Sequence, residues 1–315
     1  MRAQTAAEPE HWRAEWPRTD FARHAIDYAD VIAGGPRRDA IRPIDRPRFV
    51  GAFEAADIPP EEPVVALDIE GDSRAYPLRI LIWHEVVNDV VAGMPVVVTY
   101  SPLCDSAVVY GRGLEGRTLE FGTTGKLRHS NSLLYDRETE SWWQQFTGQA
   151  VVGALTGQRL APLPARLESL GDFQRRAPRG RVMVPTEPGS RPYGETPYVG
   201  YESAPKPFLF QGAPPADMDL MERVVAVGDQ AWTLDLVRGK GLIEAGDLTI
   251  RWRPGRASAL GPRRIAAGED IGSVTVQRRD GDRLRDVAHV NPFAFAFRAF
   301  TPNGAIHGVD GTVRW

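Results

Sequence analysis

The chain has 315 residues with a formal net charge of −3, and 42% of its residues are hydrophobic. This composition is typical of a globular protein that buries one large core or two smaller ones. Acidic and basic residues are interspersed without a basic stripe or tail, so we expect no nucleic-acid partner. The single cysteine, Cys104, excludes an internal disulfide and any Cys-x-x-Cys zinc or dithiol site.

The apolar runs of the sequence are all far shorter than the roughly 20 residues that a membrane-spanning helix needs. The first ten residues are polar and lack the apolar segment of a secretory signal. We therefore expect no membrane span and a cytoplasmic protein, or an extracytoplasmic one if a leader was removed.

Residues 1–60 are predicted to form an N-terminal arm followed by a short helix. The arm is polar apart from Trp12 and Trp16, and we expect it to be loosely held. Asp20 is a suitable N-cap, and the glycine pair 34–35 is a suitable stop for a helix between them. The proline- and arginine-rich remainder is expected to run extended over the surface.

Residues 61–152 are predicted to form a first β-rich half. Runs of β-branched and apolar residues separated by turn signals predict short strands at 62–69, 74–78, 95–100, 107–110, 119–122, 133–135 and 142–146. The segment 81–89 (LIWHEVVND) fits either a short helix or a strand, with helical spacing slightly favoured.

Residues 153–212 are expected to be a proline- and glycine-rich connection, with a helix near 167–176. Residues 213–315 then resemble the first half as a degenerate copy: 222–226 is similar to 62–66, and 246–260 is similar to 93–108. The period-two spacing of Phe293, Phe295 and Phe297 predicts one buried face of a strand. The sequence thus predicts an α+β, predominantly β protein of short antiparallel strands and few short helices, with two related halves.

Cys104 is the first candidate for chemistry. It follows a strand that is broken by proline, and strand ends commonly present reactive side chains. A thiolate there is suited to act as a nucleophile or as a soft metal ligand. The structural alternative is a buried and inert small side chain, because free cysteine is among the most buried residue types.

His84 and its neighbours form the second candidate group. If the segment is a helix, His84 and Asn88 share a face, as do Glu85 and Asp89. A histidine beside two carboxylates is suited to general-base catalysis or to metal binding. The alternative is a helix with an exposed polar face, since the spacing matches no known metalloprotease or calcium-loop pattern.

The polar segment 128–141 and the tryptophans that follow it are the third candidate. Such dense polar residues between apolar strands fit the rim of a site and fit a charged hairpin tip equally well. His129 is assigned here as a metal ligand, and Asn131 and Trp143 as residues that bind a cofactor. No phosphate-binding glycine loop and no G-x-S-x-G motif occurs, which excludes dinucleotide, P-loop and serine-hydrolase chemistry of those types.

Four segments together resemble the bacterial and archaeal domain-of-unknown-function family numbered 3179. Its motifs WHE-x-x-ND, Y-x-P-L-C and YDR-x-T-x-S-x-W-x-Q occur here in the same order, within the segments 20–41, 74–110, 125–148 and 291–303. The resemblance implies no defined activity, although many members look exported. Family members commonly read Cys-Pro-Leu-Cys where this chain has Ser101 to Cys104, so a site that uses two thiolates is not available here.

Three functions follow as hypotheses. The first is a copper or zinc site built from Cys104, His84 and His129. The second is a metal-free thiol enzyme with Cys104 as nucleophile and His84 as its base, supported by Glu85 and Asp89. The third is a non-catalytic module that binds a small molecule or a protein at the aromatic and polar rim near Trp142 and Trp143.

Overall fold

The computed structural model describes residues 9–32, 36–211, 219–311 and 313–314. Five short α-helices occur in this part of the chain: α1 (Glu10–Glu15), α2 (Leu78–His84), α3 (Leu170–Arg176), α4 (Leu234–Lys240) and α5 (Ala294–Phe300). Strands account for 40% of the structure and helices for 16%, so the predominantly β class predicted from the sequence is confirmed.

The strands of the N-terminal half of the described chain are short. In chain order they are β1 (Val31–Ile32), β2 (Arg48–Gly51), β3 (Pro63–Ile69), β4 (Asp72–Pro77), β5 (Val86–Val91), β6 (Met94–Ser101), β7 (Ser106–Gly111), β8 (Gly113–Leu114), β9 (Arg117–Thr118), β10 (Phe121–Arg128), β11 (Asn131–Asp136), β12 (Trp142–Gln144) and β13 (Gln149–Val152).

The strands of the remaining described chain are also short. They are β14 (Pro162–Leu163), β15 (Ala165–Ser169), β16 (Arg181–Val184), β17 (Val224–Val227), β18 (Gln230–Thr233), β19 (Leu242–Ala245), β20 (Leu248–Arg253), β21 (Ser273–Asp280), β22 (Arg283–Asp286), β23 (Ala305–His307) and β24 (Val313–Arg314).

Five sheets of four or five strands are formed by the described residues and are arranged like the blades of a five-bladed propeller. Their strand orders are β15-β3-β4-β16-β2, β14-β7-β6-β5, β1-β10-β11-β12-β13, β17-β18-β23-β24 and β19-β20-β21-β22. Pairing is antiparallel except where β16 joins β4 and β23 joins β18. No helix among the described residues is long and apolar enough to span a membrane.

Turn chemistry sets the register of the hairpins. β3 and β4 are joined by Glu70 and Gly71, which both have positive φ angles (51° and 84°). β5 and β6 are joined in the same way by Ala92 and Gly93 (47° and 81°). Two-residue turns of this type match the right-handed twist of the strands that they connect.

One order of elements occurs twice in the described chain. The hairpin β3–β4 leads into the seven-residue helix α2 and then into the hairpin β5–β6. The hairpin β17–β18 leads likewise into the seven-residue helix α4 and then into the hairpin β19–β20. We call β3–β6 with α2 the first unit, and β17–β20 with α4 the second unit.

The largest buried apolar cluster joins the first unit to the segment around α5. It contains Tyr76, Ile80 and Tyr100 from the first unit together with Phe293 and Phe295 from the segment around α5. α2 therefore buries apolar side chains along most of its length, whereas Arg79 near its start is ion-paired with Glu62.

The prediction of a loosely held N-terminal arm is wrong for residues 9–20. Trp12 and Trp16 are 1% and 0% exposed, and both rings pack edge-on against Trp142. Their indoles add to a sheet face that would otherwise leave Trp142 open to water, and this apolar burial fixes α1.

The predicted helix between Asp20 and Gly35 is also wrong within the described residues, which exclude positions 33–35. The chain forms turns, a short 3₁₀ helix (Tyr28–Asp30) and β1 instead. The amide of Ala25 donates to the carbonyl oxygen of Val151 at 2.8 Å, so bonds to a neighbouring strand replace those of a helix.

Two further segments differ from their predictions. Phe293, Phe295 and Phe297 are buried as expected, but the last two lie in α5 rather than in a strand, because this helix is apolar around most of its circumference. The expected connection 153–212 contains β14, β15 and β16, which extend two sheets of the first half, and it contains the expected helix as α3.

Candidate functional site

The C-terminal end of α2 directs two neighbouring side chains into two different cavities. The helix ends at His84, and Glu85 adopts a left-handed conformation with φ of 57°. The Glu85 amide still donates to the carbonyl oxygen of Leu81 at 2.7 Å, which closes the last turn. The sequence predicted either a helix or a strand for 81–89, and both occur. α2 ends at His84, and β5 begins at Val86, directly after Glu85.

His84 lies in a polar cleft of about 610 Å³. Its Nδ1 lies 2.7 Å from the carbonyl oxygen of Arg42, and its Nε2 lies 2.8 Å from the hydroxyl of Tyr193. A proton on Nδ1 satisfies the carbonyl, and the Tyr193 hydroxyl then donates to Nε2. Burial lowers the pKa of His84, so the neutral ring is favoured. Both ring nitrogens are thus engaged by protein groups.

Glu85 lies in a smaller cavity of about 190 Å³ that is mostly apolar. The carboxyl group is buried and accepts one hydrogen bond, from the Ser132 hydroxyl at 2.9 Å. The Ser132 amide in turn donates to the Ser101 hydroxyl oxygen at 3.1 Å. Burial raises the pKa of Glu85 to about 7, and the Ser132 hydrogen bond lowers it only partly. A carboxyl group with such a pKa is suited to donate or to accept a proton near neutral pH.

The walls of this cavity come from four parts of the chain. The first three are the end of α2, the end of β6 with the turn after it, and the facing parts of β10 and β11; the fourth wall combines the segments 36–41 and 198–209. The lining residues are Pro36, Ile41, Glu85, Ser101, Pro102, Leu103, Thr123, Gly125, Lys126, Leu127, Ser132, Leu133, Tyr198, Phe208 and Leu209.

Among the described residues, Lys126 is the only basic side chain in this lining, and it forms an ion pair with a carboxylate other than that of Glu85. Its ammonium group is 2.7 Å from the Glu15 carboxylate and lies 5.2–5.6 Å from the ring centres of three tryptophans, Trp12, Trp16 and Trp142. The N-terminal segment thus supplies both the counter-ion and most of the aromatic surroundings of Lys126. Glu85 has no basic partner among the described residues.

Tyr198 and Phe208 supply the aromatic part of the cavity lining. The Ser130 hydroxyl donates to the carbonyl oxygen of Phe208 at 2.7 Å, which fixes the segment around Phe208 to the turn before β11. The Phe208 side chain is 61% exposed, although the residue also lines the cavity. The next residue, Leu209, has a positive φ of 56°, which is unusual for a bulky side chain and marks a tightly constrained backbone.

Cys104 does not reach either cavity lining. It ends a 3₁₀ helix, Pro102–Cys104, is 0% exposed, and its sulfur lies 3.9 Å from the carbonyl oxygen of His129. Burial raises the pKa of the Cys104 thiol well above its usual range. A nucleophilic cysteine needs the opposite shift and some exposure, so this geometry argues against the predicted thiol nucleophile.

His129 contributes its backbone rather than its ring to the surroundings of Cys104. The residue has a positive φ of 50°, and its ring packs near Phe210 and Phe300. Its Nδ1 is buried without a hydrogen-bond partner in the described structure. Burial lowers the pKa of His129, which keeps the ring neutral.

The structure does not gather the predicted metal ligands. Among the described residues, no group of three or more His, Cys, Asp or Glu side chains is placed to hold a metal ion. His84 lies in the polar cleft, Cys104 is sealed inside the core, and the ring of His129 lies among aromatic rings. Binding of copper or zinc stays a prediction without a gathered site to support it.

Asp89 is part of an ion-pair network rather than of a site. Its carboxylate accepts hydrogen bonds from Arg74 at 2.6 Å and from Tyr76 at 2.7 Å. Asn88 joins β5 to β10 through hydrogen bonds with the backbone of Phe121 in both directions. Both residues therefore brace the sheets beside α2.

Asn131 and Trp143 also hold strands together. The Asn131 amide donates to Gln145 at 2.8 Å and accepts from Gln144 at 2.7 Å. The Trp143 indole is 1% exposed and donates to Asp136 at 2.9 Å. Their predicted cofactor-binding role is untested, and neither side chain lines the Glu85 cavity.

Sequence reasoning found Glu85 but missed the residues that complete its surroundings. Ser101 and Ser132 give no motif by themselves, and Tyr198 and Phe208 lie in a segment without recognisable periodicity. One signal was available: Ser101 stands where the family resemblance implies a cysteine, next to a strand end. A polar residue at such a position indicates a wall of a pocket as readily as a reactive group.

The fold and the site define a β-rich protein whose short antiparallel sheets surround a cavity with one buried carboxyl group. A sequence model of the family described as "Protein of unknown function (DUF3179)" matches residues 38–304, and the chain belongs to this family. Searches of curated proteins and of solved structures found no match. The residues that carry the family resemblance include Glu85, Pro102 and Leu103, which line the cavity, so two of its motifs meet there.

Proposed function

We propose that this protein binds a small molecule in the Glu85 cavity, with the Glu85 carboxyl group as the polar recognition element. The observation that carries the proposal is a buried carboxyl group that faces an apolar cavity without a basic partner among the described residues. A buried charge of this kind is expensive unless something pairs with it. A ligand that bonds to the carboxyl group would provide that partner.

The size of the cavity limits the ligand. A volume of about 190 Å³ is comparable to engineered apolar cavities of about 150 Å³ that bind benzene. We therefore expect a ligand of about five to eight non-hydrogen atoms, with an apolar body and one polar group directed at Glu85.

We further propose that the two units arose by duplication. The Glu85 amide donates to Leu81 at the end of α2, and the Gly241 amide donates to Val237 at the end of α4. The carbonyl oxygens of Glu85 and Gly241 also accept from corresponding strands, at 2.9 Å and 3.0 Å. These matched hydrogen bonds support the relation that the sequence predicts.

The detailed correspondence differs from the one read from the sequence. Of the two segments that the sequence relates, 93–108 contains the start of β7 at Ser106, whereas 246–260 ends outside the strands and the next strand begins at Ser273. The shared frame is therefore hairpin, helix and hairpin, and the loops that follow it are of unequal length.

The helix ends of the two units support a functional role for Glu85. Both residues at this position have positive φ angles, 57° for Glu85 and 69° for Gly241. Glycine adopts this conformation freely, whereas another residue costs roughly 1 kcal/mol. Glutamate here adds both backbone strain and a buried carboxyl group, and neither helps the chain to fold. Ligand binding explains why the costlier residue is present.

The proposal can be tested by screening small fragments against the full-length chain with ligand-observed NMR. We expect fragments of the stated size to bind the unmodified protein and to lose binding in Glu85→Gln, which keeps the shape of the side chain. Glu70→Gln is the matched control, because Glu70 also has a positive φ (51°) but is exposed. Equal fragment binding by the unmodified protein and Glu85→Gln would contradict the proposed site.

A further inference from the structure

We propose that the ligand of the Glu85 cavity is a small primary amine, bound as its ammonium ion and paired with the Glu85 carboxylate. This inference rests on the proposed function and names its ligand class. It follows from the charges around the cavity, from its aromatic lining and from the number of hydrogen-bond acceptors.

The charges favour a cation. Glu85 accepts one hydrogen bond from a neutral hydroxyl, and no Lys or Arg side chain among the described residues pairs with it. Lys126 lines the cavity, but its ammonium group is already paired with Glu15. An anionic ligand would meet a second negative charge and no positive one. An ammonium ion would instead supply the missing counter-ion at short range, where attraction is strongest.

The aromatic lining also favours a cation. Tyr198 and Phe208 both line the cavity, and the face of an aromatic ring attracts an ammonium group. The same protein holds the ammonium group of Lys126 among three tryptophan rings and one carboxylate. The Glu85 cavity offers a similar combination of a carboxylate and rings, with no cation of its own.

The number of acceptors matches an ammonium group, which donates three hydrogen bonds. Ser132 bonds to one oxygen of Glu85, which leaves the second oxygen as an acceptor. The hydroxyl oxygens of Ser101 and Tyr198 also belong to cavity-lining residues. Within the described structure the Tyr198 hydroxyl makes no hydrogen bond, so it is available to the ligand.

This assignment predicts a definite pH dependence. A primary amine is protonated below about pH 10, so binding should depend on whether Glu85 is ionised. Around Glu85 the other titratable groups in the lining are Tyr198, whose pKa is raised by burial, and Lys126, which is ion-paired with Glu15. Amine affinity should therefore rise about tenfold between about pH 6 and about pH 8, because the ionised fraction of Glu85 rises about tenfold across that range.

The test compares three probes of equal length, 1-butylamine, 1-butanol and butyrate, by calorimetric or NMR titration of the full-length chain. We expect the amine to bind more tightly than the alcohol and butyrate not to bind. Amine binding should be lost in Glu85→Gln and in Glu85→Gly and retained in Glu70→Gln. The glycine variant keeps the test informative, because glycine is the residue that suits this backbone conformation best.

The outcomes separate the two proposals. If the alcohol or butyrate binds more tightly than the amine and depends on Glu85, the cavity is a binding site but the amine assignment is wrong. Amine binding that survives in Glu85→Gln, or that weakens as the pH rises, would also overturn the amine assignment. If none of the probes binds at millimolar concentration, both the amine assignment and the proposed function lose their support.

Discussion

The first and second units share a backbone plan and differ at the residue that ends their helix. Glu85 directly follows α2 and Gly241 directly follows α4, and both residues make corresponding hydrogen bonds to the helix before them and to a strand beside them. The backbone plan therefore does not require a glutamate. The two units differ in that only the first directs a carboxyl side chain, that of Glu85, into a cavity at this position.

The two helix ends also differ in how much of the protein surrounds them. A Cβ atom added to Gly241 would have no heavy atom within 4 Å, so this helix end is open. Glu85, in contrast, is buried beside Ser132 and the lining residues Tyr198 and Phe208. In the first unit a cavity surrounds the residue that follows the helix, whereas in the second unit the corresponding residue has open space beside it.

The largest effect that we expect is on the pH dependence of stability. The folded protein holds the Glu85 proton up to about pH 7, whereas an unfolded glutamate releases it near 4.5. The stabilising contribution of this proton is complete below 4.5 and is lost as the pH rises through about 7. The unmodified protein should lose about 3 kcal/mol across this window relative to Glu85→Gln.

Urea unfolding at several pH values measures this effect directly. Glu70→Gln serves as the control and should follow the unmodified protein, because Glu70 is exposed. Parallel curves for the unmodified protein and Glu85→Gln would show that Glu85 titrates normally, contrary to the account.

Two glycines outside the two units lie against core rings. A Cβ atom at Gly180 would lie 2.6 Å from Cζ of Phe173, and one at Gly304 would lie 2.6 Å from Cζ of Phe297. Each overlap forces a core ring to move, so Gly180→Ala and Gly304→Ala should each destabilise the protein by about 2 kcal/mol. Thermal and urea unfolding of both variants would measure this loss. Unchanged stability in both variants would show that the two rings move without cost.

Ser132→Ala removes the hydrogen bond that Glu85 accepts. Because a hydrogen bond to a charged group contributes about 1.5–3 kcal/mol, the variant should be destabilised by about 1.5 kcal/mol above pH 8. The loss should be smaller at pH 5, where Glu85 is protonated and needs the donor less. Unfolding measurements at the two pH values test this, and an equal loss at both would show that Ser132 acts only through packing.

The smallest effects come from exchanging the two helix ends. Gly241→Glu places a strained residue at an open position and should cost about 1 kcal/mol. Glu85→Gly removes both the strain and the buried carboxyl group and should stabilise the protein at pH 8. Glu70→Gly, which relieves strain alone, gives the reference for that gain in unfolding experiments. A loss of stability in Glu85→Gly would mean that the carboxyl group supports the fold, against the comparison above.

The sequence predicted the β-rich class and most strands of the first half, because β-branched runs and glycine turns are local signals. It failed where tertiary contacts decide. Trp12 and Trp16 are fixed by packing against Trp142, which lies more than 120 residues away. Phe293, Phe295 and Phe297 have the period of a strand, yet the last two lie in the buried helix α5.

Only part of the site was predicted from the sequence, because tertiary contacts also decide how its side chains are arranged. The sequence indicates His84 and Glu85 as neighbouring candidates. It does not predict the left-handed backbone at Glu85 that separates their two side chains. Cys104 was a candidate because it is the single cysteine of the chain, whereas its complete burial follows from the tertiary structure. Ser132 lies 47 residues from Glu85 along the chain, and no local pattern connects them.

Titration of the Glu85 carboxyl group by carbon-detected NMR tests the central claim most directly. With Glu85→Gln used to assign the signal, the account predicts a midpoint near pH 7 in the free protein. It also predicts a lower midpoint when 1-butylamine is bound, because a neighbouring positive charge favours the carboxylate. A midpoint near the usual 4.5 in the free protein, unchanged by the amine, would contradict the account.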